Sequence, residues 1–343
     1  MPDEAAQHKR TWMAFGASNS IWGRRLVPEV RRNLALIANT ISAFEPVTML
    51  VRNAEVAAAR RLMSAAVELV PCPLDDLWIR DTGPTFVVGR NRAHAAVDFN
   101  FNGWGGKQGS TQDAAVARFV AVCAEARVVQ TRWVLEGGGI EVDGKGTAIV
   151  SESCVLNGNR NPLGRRLGAR NERALKAAFE VELNALLGVT KVLWIPGVRG
   201  KDITDGHTDF YARFAGPGRV LVGFDPDPES FDHRVTQRHV ELLRGATDAQ
   251  GRRLELQVLT APERVRPAFE SPEFAAGYVG FYVCNGAVIA QQFGDAAADE
   301  AALVTLQRAF PGREVLQLNV DGIAAGGGSV HCATQQEPVP EGA

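Results

Sequence analysis

Apolar positions along the chain recur in two rhythms, and the two alternate. After Pro28, residues Val30, Leu34, Ile37, Ile41 and Phe44 fall at steps of three or four, the one-sided stripe of an amphipathic helix. Val47–Val51 is a short apolar-rich run that reads as a strand. Residues 54–66 read as a second helix and 68–70 as a strand, ended by Pro71 and Pro73. The alternation continues with strands at 85–88 and 95–99, a helix over 113–124 and a strand at 127–130. It continues again with a strand at 148–150, a long helix over 171–187 and a strand at 192–195. Strands at 210–214 and 220–224 precede a helix over 231–244 and a strand at 254–259. After a loop over 260–273, runs 278–284 and 287–290 meet at Asn285-Gly286, a hairpin dipeptide. A helix over 299–310 and a strand at 314–318 close the series. Paired short strands, a helix and a strand thus return about every 60–70 residues. No linker, charge block or low-complexity stretch interrupts them. The pattern predicts an α/β protein, residues 1–343 forming one domain with its polar turns at one end.

Composition narrows the function. The 343 residues are 45% hydrophobic and 22% charged, an ordinary globular mix. Lys plus Arg is 37 against 39 Asp plus Glu, a net charge of −2. That balance argues against nucleic acid as the main partner, which would call for a basic surface. It leaves room for a small cationic ligand, whose site needs only a few carboxylates. The first ten residues are polar and lack the apolar core of a signal peptide. No run reaches the roughly 18 apolar residues of a membrane span. The expectation is a cytoplasmic protein with no membrane partner; whether it forms a homo-oligomer is open. The five cysteines (Cys72, Cys123, Cys154, Cys284, Cys332) are widely spread, fitting neither a disulfide framework nor a zinc site.

Several glycine-flanked turns beside these strands carry reactive groups: Trp78 and Asp81 before Gly83-Pro84, Glu136 before Gly137-Gly138-Gly139, and His207 and Asp209 after Gly206. Gly326-Gly327-Gly328-Ser329-Val330-His331-Cys332 forms a loop that presents one sulfur. A loop of Asn100-Phe101-Asn102-Gly103-Trp104-Gly105-Gly106-Lys107 adds aromatic surface. Taken singly, each has a bland reading. Asp81 suits an ordinary turn, Trp78 a core position, and Cys332 a small buried hydrophobe. His207 and Asp209, two apart, would share a face on a strand, as a satisfied pair or as metal ligands. Metal is the less favoured, since no third histidine lies nearby and His8, His94, His233, His239 and His331 fall in unremarkable surroundings. If its segment is extended, His331 points away from Cys332 and is a poor base for it.

Together the groups suit a planar cation. A guanidinium offers five N–H donors in a fixed fork that carboxylates accept bidentately, and its flat face stacks on tryptophan. A held thiolate can attack its central carbon while an imidazole moves protons.

The segments Trp78–Phe86, Leu135–Gly138, Asp205–Asp209 and Gly326–Pro338, with Arg10–Ala14 and Asn159-Arg160-Asn161-Pro162, resemble the agmatine deiminase family over nearly the whole chain. This is the bacterial-type peptidyl-arginine deiminase group of the guanidino-group-modifying enzymes. The resemblance implies a pentein fold, five ββαβ units around a pseudo-fivefold axis. It implies hydrolysis without metal or other cofactor through a covalent thiouronium-type intermediate. Carried over by position, Cys332 is the nucleophile and His207 the general acid/base. Asp81 and Asp209 bind the guanidinium, Glu136 is a further active-site acid, and Trp78 lies beside the substrate. The expected binding set is Trp78, Asp81, Trp104, Glu136, Asp209 and Gly328. Two positions depart from the family pattern: Phe210 follows the Gly-His-x-Asp motif where many members carry Asn, and Glu337 stands where a neutral residue is commoner. The expected reaction is agmatine to N-carbamoylputrescine plus ammonia. Alternatives are deimination of peptidyl-arginine or another guanidino compound, an amidinotransferase, a Cys-His-Asp peptidase, and a non-catalytic guanidine-binding protein.

Overall fold

The computed structural model describes residues 1–89, 93–163, 168–269, 271 and 273–340. Positions 270 and 272 of the loop expected over 260–273, and the last three of the domain expected over 1–343, lie outside the described residues. Among these residues sixteen strands form five small sheets. β1 (His8–Phe15), β2 (Val47–Val51) and β3 (Val67–Pro71) come first. β4 (Thr85–Val88), β5 (His94–Asp98) and β6 (Arg127–Gln130) make a separate sheet, as do β7 (Ile140–Val142), β8 (Thr147–Ser151) and β9 (Lys191–Ile195). So do β10 (Ala212–Phe214), β11 (Arg219–Phe224) and β12 (Glu255–Thr260), and then β13 (Tyr282–Cys284), β14 (Ala287–Gln291) and β15 (Glu314–Leu318). Each of these four sheets has one rule. Its first two strands pair antiparallel, a helix follows, and its third strand returns parallel to the second.

The remaining sheet draws on both ends of the chain. β16 (Gln335–Pro338) pairs antiparallel with β1, Trp12 lying opposite Gln335. β1 and β2 are parallel across the helix Asn19–Ile41, and β3 adds a further parallel strand. The C-terminal strand therefore supplies the member that the N-terminal unit lacks, completing the five units of a pentein fold.

Burial differs along a unit, and β7 had no counterpart in the sequence pattern. β8 and β14 are buried along their whole length, whereas β6, β12 and β15 are half-buried sheet edges. The helix Glu172–Leu187 shows the local logic. Asn171 caps it by accepting from the Ala174 N–H at 2.9 Å, an interaction worth about 1 kcal/mol. Gly188 ends it with φ 72°, a conformation that costs glycine little. Leu175, Phe179, Leu183 and Leu187 form its buried stripe, each contributing roughly 2–3 kcal/mol by leaving water.

Differences from expectation are local. β1 was not anticipated, because its first residues are polar; Glu45 and Asn285 satisfy the His8 ring and main chain there. The first helix starts at Asn19 rather than after Pro28, with a kink at Gly23 (φ 69°). The strand expected from Tyr278 begins at Tyr282, and Tyr278 instead donates to Asp299 at 2.9 Å. Among the described residues no helix is long and apolar enough to cross a membrane.

Candidate active site

Four turns far apart in the sequence meet at one place. Trp78 precedes a one-turn helix, Ile79–Thr82, that carries Asp81; this is a helical turn where a plain Gly-Pro turn was expected. The Arg80 N–H donates to the Cys332 carbonyl at 3.2 Å and ties that turn to the cysteine loop. Asp81 Oδ1 accepts the Gly138 N–H at 3.1 Å, and Oδ2 accepts the Trp104 indole N–H at 2.9 Å. Trp104 reaches inward because its own backbone (φ 54°) and those of Gly103, Gly105 and Gly106 curl through positive φ. Trp78 packs on Gly328, where a Cβ would lie 2.1 Å from the indole, and tilts against Trp22 with ring centres 5.6 Å apart. Gly328 thus serves close ring packing.

His207 and Asp209 converge by a different geometry from the expected strand. His207 is extended, and the 3₁₀ turn Thr208–Phe210 follows it, so Asp209 sits on a turn of helix ahead of β10. His207 Nε2 meets Glu136 Oε2 at 3.2 Å, while Nδ1 lies 3.8 Å from Asp81 Oδ1. Glu136 is fully buried and accepts the Arg160 Nε–H on both oxygens, at 2.8 and 2.9 Å. Arg160 is otherwise spent on Asp205, Asn159 and the Thr204 carbonyl. Cys332 Sγ lies 3.3 Å from Ser329 Oγ and 3.7 Å from Asp209 Oδ2. Asp209 Oδ1 is buried with no hydrogen-bond partner among the described residues.

His331 corrects the sequence reading. The loop is not extended here: the Thr334 N–H donates to His331 O, and that of Ala333 to Ser329 O. The His331 ring leaves the cysteine and bridges Asp209 Oδ2 at 2.7 Å and Glu4 Oε2 at 2.9 Å. Its surroundings are therefore far from unremarkable. Glu4, Cys154 and Ser329 were missed as well. Only Ser329, three residues from the cysteine, offered a local signal. Glu337 accepts the Trp12 indole N–H at 2.9 Å and pairs with Lys9 at 3.0 Å, so it belongs to the β1–β16 seam.

Charge in the site is graded. Burial raises the Cys332 thiol well above its usual value, and the carboxylates of Asp209 and Asp81 raise it further against a small opposing effect of Ser329. Burial also raises Asp81, with Asp209 and Glu136 adding to the rise while His207 and Trp104 oppose it. For Asp209, burial is outweighed by His331, His207 and Arg213, which hold it in the carboxylate form. Glu136 is likewise held down, His207 and Arg160 outweighing burial. Burial alone would lower His207; Asp81, Cys154 and Glu136 outweigh it and favour the imidazolium. These directions favour a neutral thiol, with an imidazolium and a carboxylate oxygen unsatisfied among the described residues close by.

Glu136, Cys154 and His207 place ligand atoms within 4.8 Å of one another. A cation there would meet the Arg160 guanidinium already seated on Glu136. The arrangement suits an ion-paired acid behind an imidazole better than a metal cage.

Gly138 sits among the reacting groups. A Cβ on it would fall 2.5 Å from His207 Nδ1, 3.0 Å from Asp209 Oδ2 and 3.1 Å from Asp81 Oδ1. Displacing these groups by part of an ångström spoils alignment, so Gly138→Ala is expected to lower kcat/KM by roughly a hundredfold. Steady-state kinetics beside a melting curve checks it; a folded variant with wild-type kcat/KM would show that this spacing is not critical.

Comparison with known proteins places the chain in a family. The family model for Porphyromonas-type peptidyl-arginine deiminase matches residues 1–338. A Streptomyces coelicolor relative is 42% identical, with 98% of each chain aligned. The agmatine deiminase of Pseudomonas aeruginosa (strain LESB58) is 35% identical over 99% of this chain and 95% of its own. The solved structure of the Enterococcus faecalis agmatine deiminase superposes with a TM-score of 0.88 at 30% identity, covering 99% of this chain and 96% of that one. The chain belongs to the Porphyromonas-type peptidyl-arginine deiminase family and is a hydrolase of guanidino groups.

Proposed function

We propose that the protein hydrolyses agmatine to N-carbamoylputrescine and ammonia through a covalent intermediate on Cys332, its five units acting as one catalytic domain in the cytoplasm. The observation that carries this reading is Asp209, whose Oδ2 lies 3.7 Å from the thiol sulfur while its buried Oδ1 has no hydrogen-bond partner among the described residues. An orphan carboxylate oxygen in a dry site calls for an N–H donor, and a cationic one compensates its charge best. The relatives named for agmatine deimination support the choice of substrate.

The chemistry follows from the resting charges. The guanidinium lies between Asp81 and Asp209, and Trp78 flanks it. Its positive charge compensates the two carboxylates that hold the Cys332 proton in place, so the thiol loses that proton to solvent. The thiolate adds to the guanidinium carbon. The C–N bond to one terminal nitrogen then breaks as the His207 imidazolium gives that nitrogen a proton, and ammonia leaves. The product of this step is a thiouronium that still carries the substrate tail. Neutral His207 next takes a proton from water, the resulting hydroxide adds to the same carbon, and the C–S bond breaks. The ureido product and the thiol are released. Glu136, anchored by Arg160, keeps His207 oriented through both steps.

The test is a product assay. Agmatine should yield one ammonia per ureido group, at a rate that chelators leave unchanged. Failure to release ammonia from agmatine, or loss of the rate in EDTA with recovery on adding zinc, would overturn the reading.

A further inference from the structure

A file of buried charges runs from the site to the fourth residue of the chain. Asp209 Oδ2 meets His331 Nδ1, and His331 Nε2 meets Glu4 Oε2. Glu4 Oε2 also accepts from Arg80 at 3.0 Å, while Oε1 accepts from Arg213 and from the Val283 N–H, both at 2.8 Å. Arg80 and Arg213 are themselves fixed, the first on Gln336, the second on Glu141 and the Phe281 carbonyl. All of these side chains are buried.

We propose that Glu4, acting through His331, is a positioning residue for Asp209. An ionised carboxylate can only accept hydrogen bonds. His331 has one at each ring nitrogen, so both nitrogens donate, and the ring is held between two anions. This fixes Asp209 by Oδ2 and leaves Oδ1 as its free acceptor. The oxygen it holds is also the one that accepts from the Cys332 thiol, with Sγ at 3.7 Å, so the ring and the sulfur share one side of the carboxylate. Four groups from four segments hold Glu4 in place, a strong anchor for a residue that touches no reacting atom.

Glu4→Gln keeps the shape but removes the charge. With one anion left beside it, the ring keeps a single proton, on the Nδ1 that faces Asp209. Asp209 then keeps its hydrogen bond but loses the imidazolium charge that holds it in the carboxylate form. The groups that otherwise face Asp209 are His207, Arg213, Asp81 and Cys332. Those facing His331 are Asp209, Glu4 and, further off, Glu141. Arg213 and His207 remain in the variant, so the loss is partial.

This inference rests on the deiminase reading for the task of Asp209. With agmatine, Glu4→Gln is expected to lower kcat/KM about tenfold or more. It should also move the acid limb of the kcat/KM profile to higher pH by about one unit, as Asp209 becomes easier to protonate. Glu4→Asp, which keeps the charge, should hold the limb near its wild-type position. A purely structural Glu4 would reduce the active fraction with the limb unmoved. That result, or unchanged kinetics, overturns the proposal. Nitrogen NMR of histidine in the wild-type protein decides the same point even if Glu4→Gln does not fold. The resonances absent from His331→Gln should report two protonated ring nitrogens at neutral pH, and a single protonated nitrogen overturns the proposal. Wild-type protein that released no ammonia from agmatine would remove the deiminase reading instead, and the NMR result would still stand.

Discussion

Cys332→Ala is expected to lower agmatine turnover by at least about a thousandfold while leaving agmatine binding close to wild type. The split follows from the way the site is held. Asp81 is fixed by Gly138 and Trp104, and Asp209 by His331, none of which depends on the sulfur. Removing Sγ therefore leaves the guanidinium cradle standing. No substitute nucleophile is ready. Ser329 Oγ contacts the thiol and its own loop, and an unassisted hydroxyl attacks a resonance-stabilised carbon poorly. Cys154 lies on Glu136, and burial raises its thiol. Calorimetry with agmatine and a sensitive ammonia assay check the two halves. Retention of more than about a thousandth of the wild-type rate would contradict a covalent role for Cys332.

The second large effect concerns the substrate tail. Agmatine is expected to be preferred over free arginine by roughly a hundredfold in kcat/KM, about 3 kcal/mol. The two share a guanidinium and differ by one carboxylate. That anion would enter a site already holding Asp81, Asp209 and Glu136, and an unpaired buried anion is costly. Its relief would require a cation with donors to spare. Arg160 is held on Glu136, Asn159, Asp205 and the Thr204 carbonyl, its charge already paired with two carboxylates. Arg80 and Arg213 are committed to Glu4 and its neighbours. Arg199 pairs with Glu172 at 3.6 Å and donates to the Leu156 carbonyl. Residues 100–106 contain no arginine. Parallel kinetics on the two substrates check this, and comparable kcat/KM values would mean that a cation does reach the carboxylate.

The sequence displayed the reacting groups but not what holds them. Cys332, His207, Asp81, Asp209 and Glu136 each stand beside glycines at strand ends, a local signal, and the structure brings all five together. His331 and Glu4 were illegible because their meaning is spatial. One comes from a loop at the C-terminal end and the other from a polar N-terminal stretch, 327 positions apart. Reading the loop as extended misdirected His331, since the turn at Ser329–Thr334 is set by main-chain hydrogen bonds that no side-chain pattern marks. In the fold, period and helix stripes were plain where one face is buried, as in Leu175, Phe179, Leu183 and Leu187. β1 and β16 were not, because their pairing joins the two ends of the chain. Polar residues are buried there on partners from elsewhere in the chain: Thr11 on Glu45, Gln336 on Arg80 and Glu337 on the Trp12 indole.

The most direct test of the account is the mass of the Cys332 peptide after rapid acid quench of the wild-type enzyme turning over agmatine. The mechanism places agmatine less one ammonia on the sulfur, because the substrate tail stays attached until water enters. An adduct of that mass on Cys332, absent from Cys332→Ala, is the predicted result. An adduct reduced to the amidino group alone would mean that the tail leaves first, as in an amidinotransferase. That result, or full turnover in Cys332→Ala, would contradict the account.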